Sequence, residues 1–386
     1  MPTPSEELAK LHKEGLLRTL RALDSPAGPQ VIRAGKTLWN FSSNDYLGLA
    51  RHPQIEAAMI EGVNRYGAGS TASRLVCGTL PPHRLLEEAL AEAKQTEAAL
   101  VFSSGFATPL GVIPAITGKT DFVVLDKLSH ACLVDAARLS GATIRVFPHN
   151  DLRKLERLLI TIRAKSPDAR ILIATESVFS MDGDICPLRG IVELAGSHDA
   201  LILLDEAHAF GVLGESGMGL AEREGLQQHV TFQMGTLSKA AGLSGGYLAA
   251  SREWIDLLLN KSRSFIYSTA PPPALAHAAL AALRLIGSGE GAILREKLRA
   301  NISQLANSPT PIIPHILGSN DAALTESSSL ADAGFLVPAI RFPTVPRGTA
   351  RLRISLSAAH PPEAVSALKT ALDAARWGRM APTHSS

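Results

Sequence analysis

Short apolar runs recur through the middle of this 386-residue chain, and they constrain its fold more than any other feature. Each run holds four or five residues, the length of a strand that is buried on both faces of a sheet. Most stretches between the runs have a helical period and are long enough to connect parallel strands. We therefore expect an α/β fold with a mainly parallel seven-stranded sheet flanked by helices, its strands at 98–102, 122–125, 143–147, 171–175, 201–204, 230–234 and 247–250.

The chain before and after these runs predicts two smaller regions. Residues 1–45 are expected to form an arm, amphipathic over 5–22, followed by a short extended pair around Gly35. The run of three prolines at 271–273 is the strongest boundary signal. We accordingly expect a large α/β domain over 46–270 and a smaller C-terminal α+β domain over 271–386.

Within that C-terminal domain, strands are predicted at 335–341 and 351–356, and a helix is predicted to begin at Pro362. Residues 307–329 show no clear hydrophobic period, so they carry no prediction of secondary structure.

Composition excludes several classes of function. The 46% hydrophobic content allows a large core, and 38 basic residues nearly balance 36 acidic ones, without the basic runs of a nucleic-acid-binding protein. No signal peptide or membrane-spanning stretch is visible, so we expect a cytoplasmic protein without a membrane partner. The cysteines Cys77, Cys132 and Cys186 are far apart, which predicts reduced thiols, and no ligand spacing indicates a metal site.

Lys239 and Asp205 are the residues that best indicate a chemistry. Asp205 ends the apolar run 201–204, and ligands bind at the carboxyl ends of strands in α/β sheets. Lys239 offers an amine that can form a Schiff base, and the Asp205 carboxylate can keep a pyridine nitrogen protonated. At about 4 Å and an effective dielectric near 20, that charge pair is worth about 4 kcal/mol, or about three pKa units. Together they indicate pyridoxal 5'-phosphate (PLP), although singly a helix cap and a solvated charge explain them equally well.

Other polar residues follow the same predicted strands. Gly105 and Phe106 open a helix after one strand, where backbone N–H groups can bind an anion, and Thr236 could donate to the same phosphate. His130 begins another helix, where it could cap the helix or stack on a flat ring. Ser180 follows a further strand and is expected at the same sheet edge.

A cluster of arginines lies near the C-terminus. Residues 341–353 contain four arginines and no acidic residue. Because a guanidinium can bind a carboxylate with two hydrogen bonds, one of the four could hold an acidic substrate, whereas ordinary surface charge explains at least two.

These motifs resemble those of the α-oxoamine synthases, PLP-dependent transferases of fold type I, over residues 10–375. The matching segments are spread over nearly the full length of the chain: Asn40-Phe41-Ser42-Ser43-Asn44-Asp45-Tyr46-Leu47-Gly48-Leu49, 67–78, Leu128-Ser129-His130-Ala131, 178–184, Asp205-Glu206-Ala207-His208, Thr236-Leu237-Ser238-Lys239, Ile266-Tyr267-Ser268-Thr269 and 339–360. Within the family, the likeness favours the branch that acts in biotin synthesis.

The resemblance assigns roles to individual residues. It implies that Lys239, His130, Asp205 and His208 are catalytic, with Lys239 as the Schiff-base lysine, Asp205 at the pyridine nitrogen and His130 stacked on the ring. The implied cofactor-binding set adds to these Gly105, Phe106, Ser180, Thr236 and, from a partner subunit, Thr269. The implied substrate-binding residues are Arg21, Asn44, His130, Arg341 as the carboxylate clamp, and Thr344.

The resemblance also implies a reaction and an assembly. The reaction would be the decarboxylative condensation of L-alanine with pimeloyl-CoA or a pimeloyl-carrier protein, in a homodimer with shared active sites. A glycine-using ligase or a serine-using acyltransferase of the same family is the alternative, followed by a PLP-binding sensor without activity. A nicotinamide-dependent dehydrogenase ranks last, because no Gly-x-Gly-x-x-Gly follows the first strand.

Two departures from the family pattern concern the acyl-chain preference rather than the cofactor. Ala72 stands where relatives often have glycine, which would narrow the conformational freedom of the backbone there. Phe210 stands where some relatives have a smaller residue, and we expect it to reshape the substrate pocket.

Overall fold

The structure is a computed structural model that describes the backbone of residues 2–380 and the side chains of residues 2–374. The described α-helices are α1 (Pro4–Lys13), α2 (Pro53–Tyr66), α3 (Pro81–Ala93), α4 (Ala107–Ile116), α5 (Ala131–Ser140), α6 (Leu152–Lys165), α7 (Leu188–Ser197), α8 (Leu220–Glu224), α9 (Arg252–Lys261), α10 (Arg263–Ile266), α11 (Pro273–Ile286), α12 (Gly289–Leu305), α13 (Asn320–Asp332) and α14 (Pro362–Met380). The described strands are β1 (Gln30–Arg33), β2 (Lys36–Asn40), β3 (Ala98–Phe102), β4 (Phe122–Asp126), β5 (Thr143–Phe147), β6 (Ile171–Glu176), β7 (Leu201–Asp205), β8 (Phe232–Thr236), β9 (Gly246–Ala250), β10 (Ile312–Gly318), β11 (Phe335–Leu336), β12 (Ala339–Ile340) and β13 (Ala350–Ser355).

The described residues divide into two compact units. The larger unit comprises Leu49–Ser180 and Asp184–Arg295, and the smaller one comprises the remaining described residues. The boundary predicted at 270/271 differs from this division, because α11 packs against α2 and α3 of the larger unit. Gly62 of α2 permits that packing, since a Cβ there would lie 2.7 Å from the Cα of Ala274.

The larger unit contains the predicted seven-stranded sheet. Its strand order is β3-β9-β8-β7-β6-β4-β5, and β9 is antiparallel to both of its neighbours while the other pairs are parallel. The prediction of a mainly parallel α/β sheet is therefore confirmed. Strand β8 lies two residues later than predicted, so that it ends at Thr236. The carboxyl ends of β3, β4, β6, β7 and β8 consequently meet at one edge of the sheet.

The central strands are buried on both faces, as their uninterrupted apolar runs require. Val123, Leu172, Leu203 and Phe232 have no exposed surface and belong to one core cluster. Full burial of such a side chain contributes about 1.5–3 kcal/mol, so this core fixes the strand ends from which polar side chains project.

The smaller unit contains two three-stranded sheets, ordered β1-β2-β11 and β10-β13-β12. The extended pair around Gly35 is confirmed, since β1 and β2 form an antiparallel hairpin. The strand predicted over 335–341 is interrupted between β11 and β12, where Pro338 has no N–H to donate to a ladder. Residues 307–329, which carried no prediction, contain β10 and most of α13.

The N-terminal arm is helical over a shorter range than its amphipathic pattern suggests. Helix α1 ends at Lys13 and has no buried residue, and Gly15 follows with φ +64°, a left-handed conformation that ends the helix. Among the described residues, no helix is both long and apolar enough to cross a bilayer.

Candidate active site

A cavity of about 250 Å³ lies at the carboxyl edge of the seven-stranded sheet. Apart from Met234, which lies within β8, the residues that line it end a strand or follow one within six residues, as expected where parallel strands meet at a common edge. The lining residues are Ser104, Gly105, Phe106, His130, Cys132, Glu176, Asp205, Ala207, His208, Met234, Thr236, Ser238 and Lys239. Lys239 and Asp205, which the sequence predicts to share a site, do line the same cavity.

Lys239 lies in the turn after β8. Its Nζ is 2.8 Å from Nε2 of His208, which follows β7. The turn requires a glycine at Gly242, where φ is +70° and an added Cβ would lie 2.3 Å from the backbone nitrogen of Ala50. The amine is therefore held inside the cavity and hydrogen-bonded to an imidazole.

Asp205 ends β7 and is nearly buried, with 6% of its surface exposed. Its Oδ1 accepts a 2.9 Å hydrogen bond from the backbone N–H of Ala207. Burial raises the pKa of Asp205, while the positive charge of Lys239 opposes that rise. A cationic group that entered the cavity would stabilise the ionised carboxylate in the same way.

His130 caps the N-terminus of α5, so that the capping role considered for it is present in the structure. Its Nδ1 accepts the backbone N–H of Cys132 at 3.3 Å and lies 3.0 Å from the Cys132 Sγ. Because Nδ1 is an acceptor, the neutral ring carries its proton on Nε2. Burial lowers the pKa of His130, which further favours the neutral imidazole. The ring also meets Phe106 edge-on, with centroids 6.5 Å apart.

Small and hydroxyl residues form another wall of the cavity. Gly105 precedes α4, and a Cβ on it would lie 3.1 Å from both Cβ and Oγ1 of Thr236. The Thr236 Oγ1 is also 2.9 Å from the Oγ of Ser238. A helix N-terminus and two hydroxyl groups next to a glycine are suited to binding a phosphate.

Glu176 is a lining residue that the sequence analysis missed. It ends β6 and is 2% exposed, and its Oε1 accepts the backbone N–H of His130 at 2.6 Å. Burial and the charge of Asp205 raise the pKa of Glu176 to about 8. The signal that identified Asp205, a carboxylate at the end of an apolar run, was also present at Glu176.

Two predicted cofactor-binding residues lie outside the lining of this cavity. Ser180 lies in the turn after β6, and its backbone N–H, rather than its side chain, lowers the pKa of Glu176. Thr269 is exposed and forms an isolated β-bridge with Ser73. The structure therefore brings together Lys239, Asp205, His208, His130, Gly105, Phe106 and Thr236, but not these two.

Neither departure from the family pattern contributes to the cavity. Phe210, which we expected to reshape a pocket, is 1% exposed and packs edge-on against Tyr247 with centroids 5.6 Å apart. In segment 67–78, the residue with a strained, left-handed backbone conformation is Thr71, with φ +60°, and not Ala72. Both residues therefore shape the local packing and backbone, not the lining of this cavity.

The predicted substrate-binding residues Arg21, Asn44, Arg341 and Thr344 all belong to the smaller unit. Arg341 donates from Nη1 to the carbonyl of Gly15, and Thr344 accepts a 3.3 Å hydrogen bond from Arg18. Arg21 is exposed.

Asn44 is hydrogen-bonded to two side chains of the smaller unit. Its Oδ1 accepts from Nη1 of Arg353 at 3.1 Å and from the Tyr46 hydroxyl at 3.2 Å. Arg353 is 4% exposed, which distinguishes this guanidinium from an ordinary surface charge. Among the four arginines of 341–353, Arg353 was not singled out by the sequence.

The donor set of the cavity fits PLP. An amine, a carboxylate and an imidazole surround one volume, and the tight approach of Gly105 to Thr236 leaves backbone N–H groups and hydroxyls for a phosphate. Fold and cavity together define an enzyme of the PLP-dependent fold type I class.

Comparisons with known proteins agree with this class. The family model "Aminotransferase class I and II" matches residues 36–372. The 8-amino-7-oxononanoate synthase of Geobacter sulfurreducens is 47% identical over 365 residues, which cover 92% of this chain and 93% of the relative. That of Herminiimonas arsenicoxydans is 46% identical over 388 residues, covering 97% and 99% of the two chains.

Solved structures show the same relationship. A serine palmitoyltransferase from S. paucimobilis, with a bound PLP–myriocin aldimine, superposes with a TM-score of 0.90 at 29% identity and covers 96% of each chain. The 8-amino-7-oxononanoate synthase of Francisella tularensis superposes with a TM-score of 0.75 at 26% identity, covering 89% of this chain and 99% of the other. The chain belongs to the aminotransferase class I and II family and, within it, to the 8-amino-7-oxononanoate synthases, PLP-dependent acyltransferases of biotin synthesis.

Proposed function

We propose that this enzyme condenses L-alanine with a pimeloyl thioester, carried by CoA or by a carrier protein, with loss of carbon dioxide and the thiol. The observation that supports it best is the meeting of Lys239, Asp205, His208 and His130 around one cavity. The sequence identity of 44–47% to eight 8-amino-7-oxononanoate synthases supports the choice of substrates.

The cavity residues divide the binding of PLP among them. Gly105, Phe106 and Thr236 would hold the phosphate at the N-terminus of α4, and Asp205 would hold the ring nitrogen. When bound, PLP supplies an electron sink that stabilises negative charge at the α-carbon of the amino acid.

His130 would cover one face of the cofactor ring, and its Nε2–H remains available as a donor because Nδ1 is used within α5. His208 and Ser180 are proposed for the side of the phenolic oxygen. For Ser180 this requires its hydroxyl to reach the cofactor, although it does not line the cavity described here.

Lys239 is the residue that we propose moves the proton of the amino acid. Its Nζ would hold the cofactor, and as a free amine it could take a proton from the α-carbon of the amino acid and return one later. The 2.8 Å contact with His208 supports this role, because it holds the amine inside the cavity that the amino acid would enter.

Substrate recognition is proposed for residues of the smaller unit. Arg341 and Thr344 would bind the substrate carboxylate, with Asn44 and Arg21 as further contacts. Arg353 is an additional candidate, because its guanidinium is buried beside Asn44. We also propose that the enzyme is a homodimer in which Thr269, exposed in its own chain, completes the partner's cofactor site.

A serine-using acyltransferase is the second candidate, because the serine palmitoyltransferase superposes more closely than the Francisella synthase does. Sequence identity favours the synthase, because this chain is 29% identical to that acyltransferase and 47% identical to the Geobacter synthase.

Thiol release and aminoketone formation should be measured with alanine, glycine and serine, each with pimeloyl-CoA and with pimeloyl-carrier protein. We expect alanine to be turned over fastest, and faster turnover of glycine or serine would overturn the assignment. The matched variants are Lys239→Ala, which should lose the yellow absorbance of bound PLP, and Arg341→Ala, which should keep that absorbance and raise KM. Loss of the absorbance in Arg341→Ala would show that Arg341 serves the cofactor instead.

A further inference from the structure

A second carboxyl group lies beside Asp205 in the wall of the cavity. Glu176 ends β6 as Asp205 ends β7, and the parallel register pairs these two residues directly. Adjacent strands lie about 4.8 Å apart, so the two side chains leave the sheet edge next to each other. Both line the cavity and both are nearly buried. Two buried carboxyl groups at this spacing cannot both be ionised without strong repulsion.

Glu176 also connects the sheet to His130. Its Oε1 accepts the backbone N–H of His130 at 2.6 Å, at the N-terminus of α5. The imidazole of His130 is held from the other side by Cys132, through the backbone N–H and the Sγ. The backbone anchor at Glu176 and the contact with Cys132 together fix where the ring lies over the cavity.

The charged and polar groups that face Glu176 come from each neighbouring element. Asp205 lies on β7, Lys239 follows β8, and backbone N–H groups of His130 and Ser180 point at the carboxyl. Burial and Asp205 raise the pKa of Glu176 to about 8, whereas Lys239 and the two N–H groups act in the opposite direction. A neutral carboxyl still offers its carbonyl oxygen as an acceptor, so the hydrogen bond from His130 persists in either state.

We propose that Glu176 is a positioning residue for His130, and that it holds the single proton of a Glu176–Asp205 pair. Asp205 is then the ionised member of the pair, facing the cofactor ring. In alkaline solution the O–H bond of the Glu176 carboxyl breaks, the proton passes to solvent, and a second negative charge appears in the cavity wall.

The test uses the PLP-loaded enzyme and its visible absorbance and circular dichroism across about pH 6 to 10, a range that brackets the expected titration. The wild type should show a spectral step near pH 8. Glu176→Gln imitates the protonated carboxyl, so it should match the wild type at neutral pH and lack the step. Glu176→Ala removes the anchor, so its visible dichroism should fall and its Kd for PLP should rise by about tenfold, the cost of one lost buried hydrogen bond.

Thr175→Val is the matched control. Thr175 precedes Glu176 on β6, and its buried Oγ1 has no hydrogen-bond partner among the described residues. This variant should keep both the alkaline step and the dichroism of the wild type, which separates loss of the Glu176 carboxyl from general disturbance of β6.

Two results would overturn the proposal. A step near pH 8 that persists in Glu176→Gln would assign the titration to another group, such as the Lys239 linkage itself. Wild-type dichroism and PLP affinity in Glu176→Ala would show that Glu176 does not position His130. If Glu176→Ala fails to fold, as judged by far-ultraviolet dichroism, the glutamine variant still decides the proton assignment. The spectra require bound PLP but no substrate, so they are independent of the proposed reaction.

Discussion

The buried ion pair between Lys94 and Glu206 gives the most demanding prediction for stability. Lys94 is 1% exposed and Glu206 has no exposed surface. The Lys94 Nζ also donates to the Met218 carbonyl at 2.6 Å, and the Glu206 Oε1 accepts the backbone N–H of Ala221 at 2.9 Å. Glu206 directly follows Asp205, so this pair anchors the chain immediately beyond the candidate active site.

Lys94→Met would leave the Glu206 carboxylate buried without its ion-pair partner. Of the two donors named above, only the backbone N–H of Ala221 would remain. Loss of one partner from a buried pair costs about 3–5 kcal/mol. Since 1 kcal/mol lowers Tm by roughly 2–4 °C in a domain of about 150 to 250 residues, we expect Tm to fall by roughly 6–20 °C. Differential scanning calorimetry of the PLP-loaded protein measures the change directly.

A double-mutant cycle separates the pair from other effects of the substitution. Glu206→Gln alone should also destabilise the protein, because it leaves the Lys94 cation buried. The combined Lys94→Met/Glu206→Gln variant should be more stable than the sum of the single losses predicts, because no unpaired charge remains. Additive losses, or an unchanged Tm in Lys94→Met, would refute the reasoning.

Two further predictions concern acid stability and cofactor affinity. Burial lowers the pKa of His360 to about 4 from its ordinary 6.5, so its contribution to stability is present above pH 6.5 and is lost as the pH falls towards 4. The loss amounts to about 3 kcal/mol at about 1.36 kcal/mol per pKa unit, and urea unfolding at several pH values should show a weaker acid dependence in His360→Asn than in the wild type. Gly105→Ala should weaken PLP binding by about tenfold, because its Cβ would lie 3.1 Å from Thr236 and must displace a phosphate-binding wall; equilibrium dialysis measures it, and an unchanged Kd would contradict the tight approach.

The sheet could be predicted because its signal is local. Strands β3, β4 and β7 each hold an uninterrupted apolar run of four or five residues, and burial on both faces requires that pattern whatever the neighbouring strands are. The end of β8 was misplaced because Gly235 and Thr236 are small and polar, although both are buried in the structure. Their burial depends on residues of the neighbouring strands, about which the sequence of β8 alone gives no information.

Strand β10 of the smaller unit was not predicted, for a similar reason. β10 includes Pro314 and His315 and is only partly buried, so it lacks the apolar run of a central strand. Its order comes from antiparallel pairing with β13, which lies far along the sequence. Pairing partners at such a distance leave no periodic signal in the strand itself.

The residues of the candidate site could be predicted where the residue type itself indicates a chemical role. Lys239, Asp205 and His130 follow strands and were expected to share a cavity, as they do. Glu176 was missed although it carries the same signal as Asp205, a carboxylate at the end of an apolar run; its hydrogen bond from the backbone N–H of His130 is seen only in the folded chain. Arg353 was not distinguished from its neighbours because burial of a guanidinium beside Asn44 is a property of the folded unit and not of the motif.

The walls of the cofactor cavity are contributed by residues that belong to or follow five different strands, from Ser104 to Lys239. A nascent or partly unfolded chain therefore has no partial version of this pocket, because no two neighbouring segments of sequence suffice to build it. PLP can therefore bind only after the sheet has formed. The yellow colour of the loaded protein would then serve as an intrinsic reporter of completed folding during synthesis or refolding.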